Sequence, residues 1–157
     1  EDNIKKYNPR AKIIKANSRL IVEKPELIKG KRVLLVEDGP TITHGGMKFG
    51  AATVAARLYH AKEIITAKKY AVGSIKETYE KYPHLEKELP AMGYSKEQIK
   101  DLQETINRAD CDIVIDGSPA NLDKLMKVNK PIINVDYELE EINKPNLKDI
   151  LKNFIKG

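Results

Sequence analysis

Several short apolar runs recur along the chain, and each is followed by polar or helix-forming sequence. The strongest is RVLLV at residues 32–36, an unbroken apolar stretch typical of a strand buried on both faces of a parallel sheet. The same reasoning predicts strands at residues 111–115 (CDIVI) and 131–135 (PIINV). Weaker extended signals lie at residues 11–16, 19–22 and 63–66.

Helix signals fill the intervals between these runs. Ser74 and Ser95 each stand three residues before an acid or an amide, which is the pattern of a capping box. Ser118 precedes a proline, a favoured first helical residue. The predicted helices cover residues 47–60, 74–82, 95–109 and 146–155, with a further helix opening at Ser118.

From Arg32 onward the predicted strands and helices alternate, which is the order of a parallel sheet covered by helices on both faces. The predicted fold class is α/β, with a Rossmann-like, doubly wound, mainly parallel sheet. In such sheets ligands bind beyond the carboxyl ends of the strands. We therefore expect residues 37–46, 116–118 and 136–138 to meet at one edge.

The longest interval without a strand or helix signal is residues 83–93. Pro83, Pro90 and Gly93 punctuate it, so we expect a loop that could act as a lid. Within it, Met92 is expected to be a packing residue and His84 a structural one.

Composition places the chain among globular proteins, because 41% of its 157 residues are hydrophobic and 32% are charged. Its net charge of +5 is concentrated near the start, since residues 31–157 hold twenty basic and nineteen acidic side chains. That balance argues against a nucleic-acid surface, and no apolar run reaches the roughly 18–20 residues of a membrane span. We expect a cytoplasmic protein that binds neither nucleic acid nor membrane.

The single cysteine, Cys111, excludes an internal disulfide.

The beginning of the chain has a different character from the rest. Residues 1–6 resemble the end of a helix, and the sequence starts without a methionine. We expect the chain to be the C-terminal part of a longer polypeptide, or one chain of a cleaved polypeptide. We divide it into residues 1–24, the remnant of a preceding domain, and residues 25–157, the Rossmann-like domain.

The segment after the strongest predicted strand, EDGPTITHGG at residues 37–46, carries two carboxylates, two hydroxyls, an imidazole and three glycines. It leads into a helix, whose N terminus offers backbone N–H groups and a positive dipole end to an anion. Gly45 and Gly46 would let a phosphate approach the backbone closely. Thr41 and Thr43 would donate hydrogen bonds to that phosphate.

The same segment also offers acid–base and metal-binding groups. His44 would add a positive charge or transfer a proton, and the carboxylates of Glu37 and Asp38 would hold Mg²⁺. In the alternative interpretation Asp38 and Gly39 belong to a turn, Thr43 is a helix cap and His44 is a surface residue. The density of functional groups within ten residues favours a site.

Two other helix entrances carry weaker signals. Ser74 follows Gly73, and Asp116 ends a strand at the predicted ligand edge, two residues before Ser118. A plain helix cap explains each of them, and metal or hydroxyl binding is the alternative for Asp116. The chain contains no GxGxxG, GxxxxGK[ST] or GxSxG motif.

GKRVLLVEDGPTITHGGM, at residues 30–47, resembles a hallmark of the cyclic 2,3-diphosphoglycerate synthetase family and of relatives described as predicted GTPases. The similarity continues through YAVGSI at residues 70–75, LPAMGY at 89–94 and TINRADCD at 105–112. It covers about residues 30–141, and weakly those before them.

The resemblance implies an ATP-dependent ligase that cyclises 2,3-diphosphoglycerate by forming an intramolecular phosphoanhydride, a reaction of heat-loving methanogens. It implies a P-loop NTPase-like region before this domain, with residues 1–24 as its tail and with Asn17 and Ser18 where a base-contacting loop usually lies. ATP and Mg²⁺ are the implied cofactors. The implied partners are 2,3-diphosphoglycerate, the remainder of the same polypeptide and a second copy of the chain in a homodimer.

The residues and the resemblance together lead to one site assignment. Lys48 joins it because we place that residue in the first turn of the helix after the motif. We assign catalysis to His44, Asp38 and Lys48, phosphate binding to Gly39, Thr41, Thr43, Gly45, Gly46 and Ser74, nucleotide binding to Asn17 and Ser18, and metal binding to Glu37 and Asp38.

Two other functions remain open, a GTPase-like regulator and a non-catalytic phosphate- or nucleotide-binding module of a P-loop protein. The chain also departs from the family pattern at the predicted ligand edge. Asp116 stands where an apolar residue is expected, and Asn134 and Asp136 occupy a region where a basic residue is expected. These departures raise the question of a different substrate.

Overall fold

The computed structural model describes residues 1–44, 47–93 and 95–155. None of the helices in these ranges is long and apolar enough to cross a membrane. In chain order the elements are α1 (Asp2–Tyr7), β1 (Ala16–Val22), β2 (Arg32–Asp38), α2 (Gly39–Thr43), α3 (Ala51–Leu58), β3 (Glu63–Ile64), α4 (Gly73–Lys81), β4 (Glu88–Ala91), α5 (Lys96–Arg108), β5 (Ile113–Gly117), α6 (Leu122–Leu125), β6 (Ile132–Glu141) and α7 (Leu147–Ile155).

The strands form one sheet in the order β1-β6-β5-β2-β3, and β4 also pairs with β2. β2 pairs in parallel with β3, β4 and β5, and β5 pairs in parallel with β6. β3 lies against the start of β2 and β4 against its end, so two short strands share one side of β2. The predicted α/β fold with a mainly parallel, Rossmann-like sheet is confirmed.

Side chains that alternate along the central strands fill two separate cores, one on each face of the sheet. On one face Val33 and Leu35 pack in a cluster with Ala52, Ala55 and Ala56 of α3. These alanines are fully or almost fully buried, so the small residues of this helix lie against the sheet. The opposite face packs against α4 and α5, and β4 adds Leu89 to the same core. Its other residues include Leu34, Val36, Val114, Ile75, Tyr79, Leu102 and Ile106.

β4 lies where a lid loop was predicted, so that prediction is wrong. Leu89, Pro90 and Ala91 are buried, and β4 runs beside residues 35–38 of β2. A proline lacks the N–H group that a central strand needs, but it is tolerated in a short strand that flanks a sheet. This segment is therefore part of the sheet that supports the end of β2.

Three other predicted boundaries are corrected by the structure. Residues 11–15 have no strand geometry, and β1 runs unbroken over Ala16–Val22. The helix predicted over residues 47–60 covers only Ala51–Leu58, and the helix predicted to open at Ser118 begins at Leu122. Asn17 and Ser18 therefore lie in a strand and not in a loop.

The chain divides into two compact units, Glu1–Arg19 with Tyr137–Gly157, and Leu20–Asp136. In the first unit the backbone N–H of Ile142 donates to the carbonyl of Lys15 at 2.9 Å. Asn146 caps α7 there, because its side-chain oxygen accepts a hydrogen bond from the N–H of Asp149 at 2.8 Å. The division predicted at residue 25 concerns the domains of a longer protein and stays a prediction.

Candidate functional site

Glu37 near the end of β2 and Asp116 near the end of β5 lie on neighbouring strands, one register position apart. Val36 is paired with Asp116, and Glu37 with Gly117. Side chains alternate along a strand, so Glu37 and Asp116 point to opposite faces of the sheet. Asn134 of β6 is the register partner of Asp116 on the other side. Residues predicted to line one edge thus serve two different faces.

Glu37 reaches the N terminus of α3 and is buried, with 1% of its surface exposed. Its carboxylate accepts hydrogen bonds from the N–H groups of Gly50, Ala52 and Thr53 at 2.8–3.2 Å, and from the hydroxyl of Thr53 at 2.7 Å. The N-cap residue of α3 is Gly50, which has no side chain to do this, so the strand supplies the acceptor. Burial raises the pKa of Glu37, and the hydrogen bonds oppose that rise.

Two glycines leave the space that the Glu37 carboxylate occupies. A Cβ atom at Gly50 would collide with the carboxylate itself. A Cβ atom at Gly117 would lie 2.7 Å from the backbone nitrogen of Ala52 and 3.0 Å from Oε2 of Glu37. α3 can therefore approach the sheet closely enough for the cap to form.

Asp116 holds the segment that follows β5 and is also 1% exposed. Its Oδ1 accepts hydrogen bonds from the N–H of Ser118 at 2.9 Å and from the Ser118 hydroxyl at 2.7 Å. Its Oδ2 accepts a hydrogen bond from the N–H of Leu122, the first residue of α6, at 3.0 Å. Burial raises the pKa of Asp116, and these hydrogen bonds oppose the rise. Ser118 is thus a partner of Asp116 and not the predicted helix cap.

Within the predicted motif, Glu37 and Asp38 end β2 and Gly39–Thr43 form a short helix, α2. The Thr41 hydroxyl donates to Oδ2 of Asp38 at 2.6 Å. Gly39 is buried, and a Cβ atom there would lie 2.6 Å from the carbonyl oxygen of Ala91 and 2.7 Å from Sδ of Met92. Only a glycine allows α2 to begin this close to the end of β4.

Beside the end of α2, two histidines lie on either side of a tyrosine ring: His44 follows α2, and Tyr82 and His84 follow α4. His44 and Tyr82 have ring centroids 6.1 Å apart, Tyr82 and His84 have centroids 6.2 Å apart, and both pairs meet edge to face. Nδ1 of His44 lies 2.9 Å from the Thr43 hydroxyl, and Nε2 of His84 lies 3.0 Å from the carbonyl oxygen of Ile42. Thr43 is 7% exposed, whereas His44 is exposed.

The structure does not gather all the predicted site residues around α2. Lys48 is exposed and precedes α3, so it does not lie in the first turn of that helix as predicted. Gly45 and Gly46 lie outside the described residues. Asn17 and Ser18 are exposed in β1 and belong to the unit that contains Glu1–Arg19. The roles assigned to these residues stay predictions.

Ser74 lies at the start of α4, and Asp101 of α5 supplies its cap. The Ser74 N–H and hydroxyl donate to Oδ2 of Asp101 at 2.9 and 2.8 Å. Gly73 has a φ of 47°, and a Cβ atom there would collide with the Asp101 carboxylate. The capping box predicted between Ser74 and Glu77 is wrong, because the N-cap residue is Val72. The Ser74 hydrogen bonds lower the pKa of Asp101.

Changing Ser74→Ala should raise the pKa of Asp101 part of the way to its ordinary value, because the hydroxyl donor is lost and the N–H donor remains. A carboxylate with a lowered pKa stabilises the fold above its unfolded pKa, and that stability is lost as the pH falls. We expect a loss of about 0.5–1 kcal/mol at neutral pH, which disappears in acid. NMR titration of the Asp101 carboxyl carbon measures the pKa.

Thr78→Val is the matched control, since the Thr78 hydroxyl donates to the Ser74 carbonyl and not to Asp101. An Asp101 pKa that is the same in the Ser74→Ala variant and the wild type would contradict the cap described here.

A magnesium ion at this edge would have few protein ligands. Among the residues that the structure describes, no group of three or more His, Cys, Asp or Glu side chains converges on one point. Both oxygens of Glu37 accept hydrogen bonds from α3, and Oδ2 of Asp38 accepts one from Thr41. Mg²⁺ commonly takes one or two carboxylates and completes its shell with phosphates and waters. Of the two predicted metal ligands, Glu37 is thus committed to capping α3, and the metal-binding role of Asp38 stays a prediction.

Sequence reasoning did not assign site roles to His84, Tyr82 or Asp101. His84 and Tyr82 flank the start of the segment interpreted as a lid, where no pairing with β2 was predicted. For Asp116 the signal was visible, because an aspartate two residues before a serine at a strand end is typical of an Asx turn.

The chain is similar in sequence to one curated protein. Over 156 residues the chain is 61% identical to the arginine synthetase ArcE of Thermococcus kodakarensis, and the match covers 99% of this chain. It covers 35% of the relative, so the chain spans about a third of that protein. No family model matches the chain, and no solved structure matches it.

This relative overturns the function predicted from the family resemblance. Its name states arginine synthesis, whereas the resemblance implied synthesis of cyclic 2,3-diphosphoglycerate. The prediction that the chain takes part in cyclising 2,3-diphosphoglycerate is wrong, and so is the substrate that came with it. The likeness of residues 30–47 to that family therefore does not extend to the reaction.

Proposed function

We propose that this chain is part of a ligase-type enzyme that forms arginine. The observation that carries the proposal is the 61% identity over 156 residues to a protein named arginine synthetase. Because the chain spans about a third of that relative, the proposal assigns the complete reaction to a longer polypeptide.

The residues around α2 could carry out part of such a reaction. Making a C–N bond of a guanidinium group requires an activated carbon, and a nitrogen that loses a proton as the bond forms. ATP and Mg²⁺, which we propose as cofactors, would supply the activation, and positioning with charge neutralisation would do most of the catalytic work. Asp38 would bind the metal or a cationic group, and His44 would take up the proton.

The remainder of the polypeptide would supply the nucleotide-binding residues. The phosphate-binding roles of Gly39 and Thr41 remain part of the proposal. Thr41 already donates to Asp38 at 2.6 Å, so a ligand that draws its hydroxyl away would also release an oxygen of Asp38 for a cation. A homodimer is likewise proposed.

The test uses the full-length polypeptide that carries this chain. It is incubated with Mg²⁺, ATP, ¹⁵N-ammonium and either ornithine with bicarbonate, which supplies the guanidinium carbon, or the ureido derivative of ornithine. Labelled arginine is measured by mass spectrometry. We expect arginine that depends on both enzyme and ATP. Asp38→Asn should lower kcat by about 100-fold or more.

Asp2→Asn in α1 is the matched control, since it makes the same chemical change at an exposed residue and should leave kcat unchanged. No labelled arginine with either precursor would overturn the proposed function. Arginine formation that Asp38→Asn leaves intact would overturn the role of Asp38 alone.

A further inference from the structure

Two short contacts at the end of α2 define where the protons of Thr43 and His44 lie. The Thr43 hydroxyl oxygen is 2.7 Å from the carbonyl oxygen of Gly39. Two oxygens this close need a proton between them, and a carbonyl has none to give. The Thr43 hydroxyl therefore donates its only proton to Gly39.

The second contact then has one possible donor. Nδ1 of His44 is 2.9 Å from the same Thr43 oxygen. Since that oxygen has already given its proton to Gly39, it can only accept from His44, and Nδ1 must carry a proton. In a neutral imidazole with a protonated Nδ1, the nitrogen without a proton is Nε2.

We propose that Thr43 positions His44 as the Nδ1–H tautomer, which makes Nε2 of His44 the nitrogen that accepts a proton from the substrate. The proton-accepting role rests on the proposed function, whereas the tautomer does not depend on it. Thr43 is a positioning residue in this proposal and takes the place of the phosphate contact predicted for it.

The proton balance of the step is simple. As the attacking nitrogen forms its new C–N bond, the electron pair of its N–H bond returns to that nitrogen and the proton passes to Nε2. His44 becomes an imidazolium, with Nδ1–H still donating to Thr43. The proton then leaves to water, and the neutral tautomer returns. Because Thr43 is 7% exposed and fixed by Gly39, its oxygen stays an acceptor throughout.

His84 provides an internal comparison. Its Nε2 lies 3.0 Å from the carbonyl oxygen of Ile42, which can only accept, so His84 must carry its proton on Nε2. The two histidines on either side of Tyr82 are thus expected to be opposite tautomers in one molecule. A general preference for one tautomer in solution cannot produce that pattern.

Long-range ¹H–¹⁵N NMR of the histidine rings measures this directly, at a pH above the imidazole titration. We expect the His44 spectrum to show a protonated Nδ1 and an unprotonated Nε2, and the His84 spectrum to show the reverse. The measurement uses the wild-type full-length polypeptide that carries this chain. A His44 ring with its proton on Nε2, or with averaged nitrogens, would overturn the proposal.

Variants at position 43 test whether Thr43 is the cause. Thr43→Val keeps the shape and removes the acceptor, so the ratio of Nδ1–H to Nε2–H tautomers of His44 should fall about fivefold. Thr43→Ser restores the hydroxyl and should restore the ratio, while His84 stays unchanged in both variants. An unchanged His44 ratio in Thr43→Val would contradict the positioning role.

Activity of the full-length enzyme tests the proton transfer. His44→Gln should lower kcat for arginine formation by about 100- to 10,000-fold with a smaller change in KM, and Thr43→Val should lower kcat in proportion to its tautomer ratio. An enzyme that makes arginine with kcat unchanged in His44→Gln would overturn the proposal and leave the proposed function standing. The expected tautomers without any arginine formation would instead overturn the proton-accepting role together with the proposed function.

Discussion

Glu37→Ala is expected to lower the free energy of unfolding by about 3–5 kcal/mol. The carboxylate is 1% exposed and accepts four hydrogen bonds from the start of α3. Alanine would leave three N–H groups and the Thr53 hydroxyl without their acceptor at a buried position. Urea denaturation followed by circular dichroism measures the loss.

Glu37→Gln separates shape from charge. It keeps the volume but directs an NH₂ group at donors that need an acceptor, so we expect a loss of about 1–3 kcal/mol. Glu26→Ala is the control, since Glu26 is exposed and its removal should change stability by about 0.5 kcal/mol or less. Amide hydrogen exchange should locate the damage at Ala52 and Thr53. Wild-type stability in the Glu37→Ala variant would show that α3 does not need this cap.

The two capping boxes show where local sequence suffices and where it does not. At Ser95 the predicted box forms, with the Gln98 N–H donating to the Ser95 hydroxyl at 3.2 Å and the Gln98 side chain accepting from the Ser95 N–H at 3.4 Å. At Ser74 the same pattern fails because Asp101, 27 residues away, accepts both Ser74 donors. The local pattern also offers a carboxylate, that of Glu77, but α4 begins after Val72 and its packing on α5 brings Asp101 to both Ser74 donors.

The strands that could be predicted are those with an apolar pattern in their own sequence. β2 is a continuous apolar run with a partner on each side, so its position follows from composition and pattern. β4 is four residues long, contains Pro90 and owes its geometry to β2, some fifty residues earlier in the chain. Pairing over that distance leaves no pattern in the local sequence. Residues 83–93, which contain two prolines and a glycine, were therefore interpreted as a lid.

The residue types of the candidate site could be predicted from the sequence, but the hydrogen-bond partners of each residue could not. Glu37 and Asp38 are neighbours in sequence, yet one caps α3 on one face of the sheet and the other accepts from Thr41 in α2. Asp116 departs from the family pattern, which raised the question of a different substrate. The structure accounts for it through Ser118 and Leu122, so its presence follows from the fold and does not identify a ligand.

Asp116→Ala is the second change with a large expected effect, about 2–4 kcal/mol of unfolding free energy. Alanine would deprive the N–H groups of Ser118 and Leu122 of their shared acceptor and leave a small cavity at a residue that is 1% exposed. Leu122 is itself fully buried, so the loss of its anchor should loosen the start of α6 against the core. Hydrogen exchange at Ser118 and Leu122, combined with urea denaturation, measures both effects.

Asp116→Asn distinguishes the two ends of this carboxylate. The amide keeps one oxygen, which can continue to accept from the Ser118 N–H and hydroxyl, but it presents NH₂ to the N–H of Leu122. Exchange should therefore accelerate at Leu122 more than at Ser118, with a stability loss smaller than that of the alanine variant. Equal acceleration at both amides would mean that Asp116 holds the segment as one unit through its charge. Slow exchange at both amides in the alanine variant would mean that packing of Leu122 alone fixes α6.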